Sequence, residues 1–209
     1  MAAKTFAVER LGVGDWPATD ATGERVISAE AWDALSDETS CLVGPVCFAF
    51  DVRPDRARAS IGVAGRREDG IWHVEVVEHK RGTGWVAERL AELVEAHDAS
   101  GVVCDAAGPA GSLIPELENL GVKVKTATAK EHAQACGLIF DAVEQATLRH
   151  LGTLELTSAL RGAVKRPLGD AWAWSRKSSN VDISPLVACT LALGGIATKH
   201  SKEPLVAWM

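Results

Sequence analysis

Asp51, Asp105 and Asp182 are the residues of this sequence whose type and setting point most directly to chemistry. Asp51 ends the apolar run Cys47-Phe48-Ala49-Phe50-Asp51. Asp105 follows Gly101-Val102-Val103-Cys104 directly, and Asp182 stands just ahead of Ser184-Pro185. The two runs read as buried strands, and Pro185 fits the first turn of a helix. If the two strands are neighbours, Asp51 and Asp105 emerge close together, and the last helix can deliver Asp182 to the same spot. Gathered carboxylates raise one another's pKa, and a divalent ion removes that cost. Mg²⁺ is the expected cofactor, as a pair of ions. Two ions roughly 3.5–4 Å apart clamp the attacking and leaving oxygens of a phosphodiester and generate a nucleophile from water. No protein nucleophile is then required.

Each acid also has an ordinary use. Asp51 would begin a turn, Asp105 would cap the helix after Gly108-Pro109-Ala110-Gly111, and Asp182 would favour a helix dipole. It is the three together, in one topology, that favour a site. Asp55, beside Pro54, and Asp170, beside Gly169, read as turn residues. Lys177, in Arg176-Lys177-Ser178-Ser179, is placed to hold a phosphate or orient a water, or else is a solvated loop lysine. Gly108-Pro109-Ala110-Gly111 lacks the Lys-Ser/Thr ending of a phosphate-binding loop, so no ATP site and no motor activity are expected. The six histidines form no metal-binding motif. Trp172 and Trp174 alternate, as in an extended segment, with core packing their expected use and base stacking the alternative.

Positioning these residues falls to a recognisable order of elements. Val46–Val52, Ala57–Ala64 and Ile71–His79 read as three strands joined by short turns, with Asp69-Gly70 a hairpin signal. Val86, Leu90, Leu93 and Val94 share one face of a helix over Gly84–His97. Gly101–Cys104 and Val122–Thr126 are further strands, with a helix over Ser112–Leu120 between them. Lys130–His150 reads as a long helix, Glu155–Val164 as another, and the last runs from about Ser184 to about Gly194. An antiparallel meander followed by α/β crossovers predicts an α/β, RNase H-like fold: a mixed central sheet with helices on both faces. Residues 1–45 look different, acidic and rich in Gly, Pro, Asp and Thr, with one short helix at Ser28–Leu35. They are expected to be a linker or N-terminal extension, with the main domain at 46–209.

Composition sets the bounds. The net charge of −6 argues against a nucleic-acid partner, but its distribution softens the argument. Residues 1–45 hold eight acids and three bases, which leaves residues 46–209 near neutral. Arg149–Ser178 holds six bases against two acids, including Lys165, Arg166, Arg176 and Lys177. Such a stretch can track a phosphate backbone, or simply be a solvated face. The five cysteines lack CxxC spacing and mostly sit in apolar stretches, so free buried thiols are expected. No apolar run reaches the ~20 residues of a membrane helix, and no signal pattern opens the chain. These features are those expected of a cytoplasmic protein.

Val46–Gly195 resembles the nuclease domain of phage terminase large subunits, of the actinobacterial phage and prophage type. The resemblance is carried by Phe48-Ala49-Phe50-Asp51-Val52 with Pro54-Asp55, by Val103-Cys104-Asp105 with Gly108, and most specifically by Gly169–Arg176 leading to Asp182–Ala188. Glu9-Arg10-Leu11-Gly12 and Ala31-Trp32 resemble the segment joining a terminase ATPase to its nuclease. The resemblance implies cleavage of double-stranded DNA with Mg²⁺ or Mn²⁺. It also implies metal ligands at Asp51, Asp105 and Asp182, and work beside a terminase small subunit, a portal and an ATPase domain that this chain lacks. An excised domain or a split gene product would explain that lack. A junction resolvase or ribonuclease H is the same-fold alternative, and an inactive domain docking on DNA or a portal is the non-enzymatic one.

Overall fold

Phe48, Phe50 and Val52 alternate with Cys47, Ala49 and Asp51, so a strand here sends side chains to two faces, both of which must be covered. The computed structural model, which describes residues 25–200, covers both. Strand β1 (Val43–Val52) lies inside a six-stranded mixed sheet. Its antiparallel partner is β2 (Arg58–Arg66), which pairs in turn with β3 (Trp72–Arg81). On its other side β1 pairs in parallel with β4 (Ala99–Cys104), and β4 with β5 (Val124–Thr126). A two-residue strand, β6 (Leu148–Arg149), closes the far edge beside β3, giving the order β5-β4-β1-β2-β3-β6.

One face of the sheet carries Val46, Phe48, Phe50, Val52, Ile61, Val102 and Cys104. Two helices cover it, α2 (Val86–Ala96), which buries Val86, Leu90 and Leu93, and α3 (Ile114–Asn119), which buries Leu117. The short α1 (Ala29–Asp33) comes earlier in the chain. The other face carries Cys47, Ala49, Ala64, Val74 and Val103. It is covered by the last helix, with α4 (Ala129–Glu144) and α5 (Leu154–Arg161) packed beside it.

That last helix, α6 (Ser184–His200), explains why its sequence is apolar on every side. A helix walled in by a sheet and two neighbours has no solvent face, and Leu186 through Leu193 are all buried. It sits close because two glycines allow it. A Cβ on Gly62 of β2 would lie 2.7 Å from the Cys189 backbone nitrogen, and one on Gly195 would lie 2.6 Å from Cys47 Sγ. The helix therefore continues past the Gly194-Gly195 pair, which marks a contact rather than the stop the sequence suggested.

Two further differences have local causes. A capping box between Thr128 and Glu131 starts α4 where the sequence predicts, but the helix ends at Glu144 instead of His150. Ala146 takes a left-handed conformation (φ 54°), and Leu148 continues as β6, pairing with Trp72. Its apolar side chain serves the sheet edge, which helical periodicity alone does not distinguish. The extended Trp172-Trp174 segment is β8 (Ala171–Trp174), hairpinned to β7 (Lys165–Leu168) through a turn at Gly169, φ 61°.

Ser28 caps α1, as its sequence suggests. Trp32 is fully buried, stacks on His150 at 3.9 Å and donates to Thr157 Oγ1, while Ile27 and Leu35 join the same core. Glu9-Arg10-Leu11-Gly12 lies outside the described residues. Among the cysteines, Cys41 is exposed and Cys47, Cys104, Cys136 and Cys189 are buried. No helix among the described residues is long and apolar enough to cross a membrane.

Candidate active site

Strand parity brings the first two acids together. Ala49 and Val103 are register partners on the parallel strands β1 and β4, and both face α6. Two residues further on stand Asp51, still in β1, and Asp105, just past the end of β4, both held by the same Arg176 side chain. Asp51 is also paired across β1 and β2 with Ser60, and Ser60 across β2 and β3 with His79. The sheet thus presents a transverse row, Asp105, Asp51, Ser60 and His79, at one end of the face that α6 covers.

The start of α6 is tied to the same row. Ser184 Oγ lies 2.8 Å from Ser60 Oγ, and Ser60 Oγ lies 2.9 Å from His79 Nδ1. Asp182 Oδ1 accepts from the Ser184 amide at 2.9 Å, and its Oδ2 lies 3.8 Å from His79 Nε2. That Oδ2 is buried and has no hydrogen-bond partner among the described residues. Asp51 and Asp182 line one cleft of about 450 Å³, together with Arg53, Asp55, Arg176 and Lys177.

Arg176 was legible in the sequence only as one base in a basic stretch. In the structure its side chain is 12% exposed and sits between the two strand-end acids. Its Nε and Nη2 donate to Asp51 Oδ2 and Oδ1 at 3.0 and 2.8 Å, and its Nη1 donates to Asp105 Oδ2 at 3.0 Å. A fork engaging both oxygens of one carboxylate is the strong form of such pairing. Asp105 Oδ1 accepts from the Ala107 amide at 3.1 Å, and His132 Nδ1 lies 3.4 Å from Asp105 Oδ2. His79, His132 and Ser60 also escape sequence reasoning, because only strand register and helix docking carry them here.

The charges reflect this packing. Burial pushes the fully buried Asp51 carboxyl above its ordinary range, against the pull of Arg176. Asp105, beside His132 and then Arg176, is held well below that range. Burial works against the Arg176 charge, yet the two carboxylates keep it firmly protonated. Burial lowers His79 despite Asp182 nearby. Burial also pushes the Cys104 thiol up to about 12, so it is no thiolate nucleophile beside Asp105.

The remaining candidates are divided between that cleft and the β7–β8 hairpin. Lys177 is on the cleft wall, whereas Lys165 and Arg166 are on β7, and Lys165 Nζ lies 4.8 Å from the Trp172 ring centroid. Asp170 belongs to the β7–β8 turn, and Asp55 Oδ1 accepts from the Ala57 amide within its own turn.

No three His, Cys, Asp or Glu side chains among the described residues converge to hold a metal ion. The donor set nevertheless suits a hard divalent cation. Asp51 and Asp105 already share one positive group, and the unpartnered Asp182 Oδ2 belongs to an acid lining the same cleft as Asp51.

Comparison with known structures identifies the architecture. The large terminase of bacteriophage HK97 superposes with a TM-score of 0.68 at 14% identity, over 82% of this chain and 43% of that one. The large terminase nuclease of thermophilic phage G20c superposes with a TM-score of 0.61 at 16% identity, over 83% of this chain and 100% of that one. The chain thus shares its fold, which is RNase H-like, with these phage large terminases. The G20c terminase nuclease has also been solved with bound magnesium, and that structure matches at a TM-score of 0.59 and 15% identity, over 80% of this chain and 95% of that one. Comparison with protein-family models and with curated sequences finds no match. The chain spans less than half the length of the HK97 large terminase.

Proposed function

We propose that this chain is a divalent-metal-dependent endonuclease that cleaves double-stranded DNA during phage genome packaging, as the nuclease portion of a terminase large subunit. The observation that carries the reading is the pairing of Asp51 and Asp105 at adjoining ends of parallel strands, in a fold shared with terminase nucleases. Asp51, Asp105 and Asp182 would hold a pair of Mg²⁺ or Mn²⁺ ions. Bound there, such ions supply positive charge to a scissile phosphate and lower the pKa of a water.

The chain's own residues do the rest. Ser60, His79 and Ser184 fix the start of α6, and with it Asp182, against the sheet. Lys177 stands on the cleft wall, where a phosphate would meet it. Lys165 and Arg166 extend a basic edge along the β7–β8 hairpin toward the DNA backbone. An ATPase domain, a terminase small subunit and a portal are the expected partners, in the cytoplasm of a bacterial host.

One observation favours a second reading, a domain that docks on DNA without cutting: Arg176 already neutralises the carboxylate pair. Incubating supercoiled and linear DNA with Mn²⁺ separates the two readings. Nicking and linearisation by the wild type and none by Asp105→Ala support the endonuclease. Cleavage that survives the substitution rejects the site, and no cleavage by either protein favours docking.

A further inference from the structure

Arg176 occupies the place that a cation bound by Asp51 and Asp105 would need. Both oxygens of Asp51 accept from it, and so does Asp105 Oδ2, while Asp105 Oδ1 is taken by the Ala107 amide. The guanidinium bridges the two acids at 2.8 to 3.0 Å and fills the space between them, so an ion placed there must displace it. We propose that Arg176 is a built-in counter-cation that keeps the carboxylate pair closed, and that a divalent ion binds only as the guanidinium swings out. The proposal rests on the reading of Asp51, Asp105 and Asp182 as a metal site.

The surroundings suit a side chain with two positions. Gly108 lies under the guanidinium, where a Cβ would stand 3.4 Å from Cζ, in ordinary contact. The 450 Å³ cleft beside Arg176 gives the displaced group somewhere to go. The backbone, by contrast, is fixed. The Ser175 amide donates to Val164 O at 2.8 Å, and the Val164 amide donates to Ser179 Oγ at 3.1 Å. The loop carrying Arg176 is therefore pinned to the base of the β7–β8 hairpin, and the motion belongs to the side chain. Closed, the guanidinium offsets the cost of two carboxylates left together without an ion. Open, it leaves a positive group on the wall that faces a phosphate.

Competition makes this measurable. A site open only a small fraction of the time shows an affinity reduced by that fraction. Removing the competing charge with Arg176→Met, which keeps the stem, should tighten Mn²⁺ binding by about tenfold or more, if the open form is under about a tenth of the population. The experiment is Mn²⁺ titration of the full chain without DNA, followed by the electron paramagnetic resonance of free ion. It compares wild type, Arg176→Met, and Arg176→Met combined with Asp105→Asn. Tighter binding in the single variant, abolished in the double, is the result expected.

Wild type that binds while Arg176→Met binds no tighter overturns the proposal alone. Binding by neither protein overturns the metal reading as well. A double variant that keeps tight binding places the ion elsewhere and also overturns the proposal. Should Arg176→Met fail to fold, the wild type still decides. In an arginine-labelled sample, saturating Mg²⁺ should move the Arg176 Nε–H resonance and leave that of Arg67, paired with Asp37 and Asp69, in place. An Arg176 signal that stays put refutes the swing.

Discussion

Gly62→Ala tests the seating of α6, and with it the position of Asp182. An added Cβ would lie 2.7 Å from the Cys189 nitrogen, 2.9 Å from the Ala188 carbonyl carbon and 3.1 Å from Cys189 Cα. All three are backbone atoms of a buried helix, and ordinary contact begins near 3.4 Å, so no side chain can simply turn aside. The helix must lift by several tenths of an ångström from β2. Overpacking of this kind costs about 1–3 kcal/mol. Against it stands a gain of about 0.4–1 kcal/mol from the less flexible unfolded chain. The expected balance is a loss of about 1–2 kcal/mol, with Tm falling about 2–4 °C per kcal/mol for a chain of this size. Gly137→Ala is the matched control. Gly137 is in the middle of α4 with nothing within 4 Å of a Cβ, so alanine should stabilise by about 0.5–1 kcal/mol. Urea unfolding of both variants beside wild type gives the answer. A Gly62→Ala protein as stable as wild type would refute the close packing of α6 on the sheet.

The other predictions concern the packing of the N-terminal segment and its response to pH. Trp32→Ala should cost about 3–5 kcal/mol in urea unfolding, as for a fully buried tryptophan; a loss under about 1 kcal/mol would mean that residues 27–35 are not part of the core. His150 is held neutral by burial, with Nδ1 accepting from the Gly152 amide at 3.0 Å and Nε2 donating to Trp32 O at 3.0 Å. Its pKa is lowered on folding, so the unfolded chain takes up the proton first as pH falls through about 6.5, and stability drops below that point. His150→Phe should flatten the decline of the urea midpoint between pH 6.5 and 5.5, with His79, also lowered by burial, retaining a remainder; an equal slope in both proteins would contradict the assignment.

The parts of the fold legible in the sequence are those that alternation encodes. Phe48, Phe50 and Val52 against Cys47, Ala49 and Asp51 announce a strand covered on both faces, and the run ending at Cys104 supplies its parallel neighbour. Asp51 and Asp105 are readable for that reason: each follows a buried run in a phase that aims it at one face. Arg176 is not readable in this way. A base in a run of bases looks solvated, and only the loop pinned at Val164 and Ser179 directs it inward. His79 and Ser60 become neighbours of Asp51 through register, which the bulge between Ile61 and Gly62 shifts. Leu148 leaves its helix because Ala146 turns left-handed, and nothing in an alanine foretells that.

In the proposed site, Asp51 and Asp105 hold a divalent cation where Arg176 now lies, within the cleft that Asp182 also lines. Anomalous scattering from a crystal soaked in Mn²⁺ tests it most directly. Density is expected between the two strand-end carboxylates, with the guanidinium displaced into the cleft. Density at any other place, or none at saturating Mn²⁺ with Arg176 still forked onto Asp51, would contradict it.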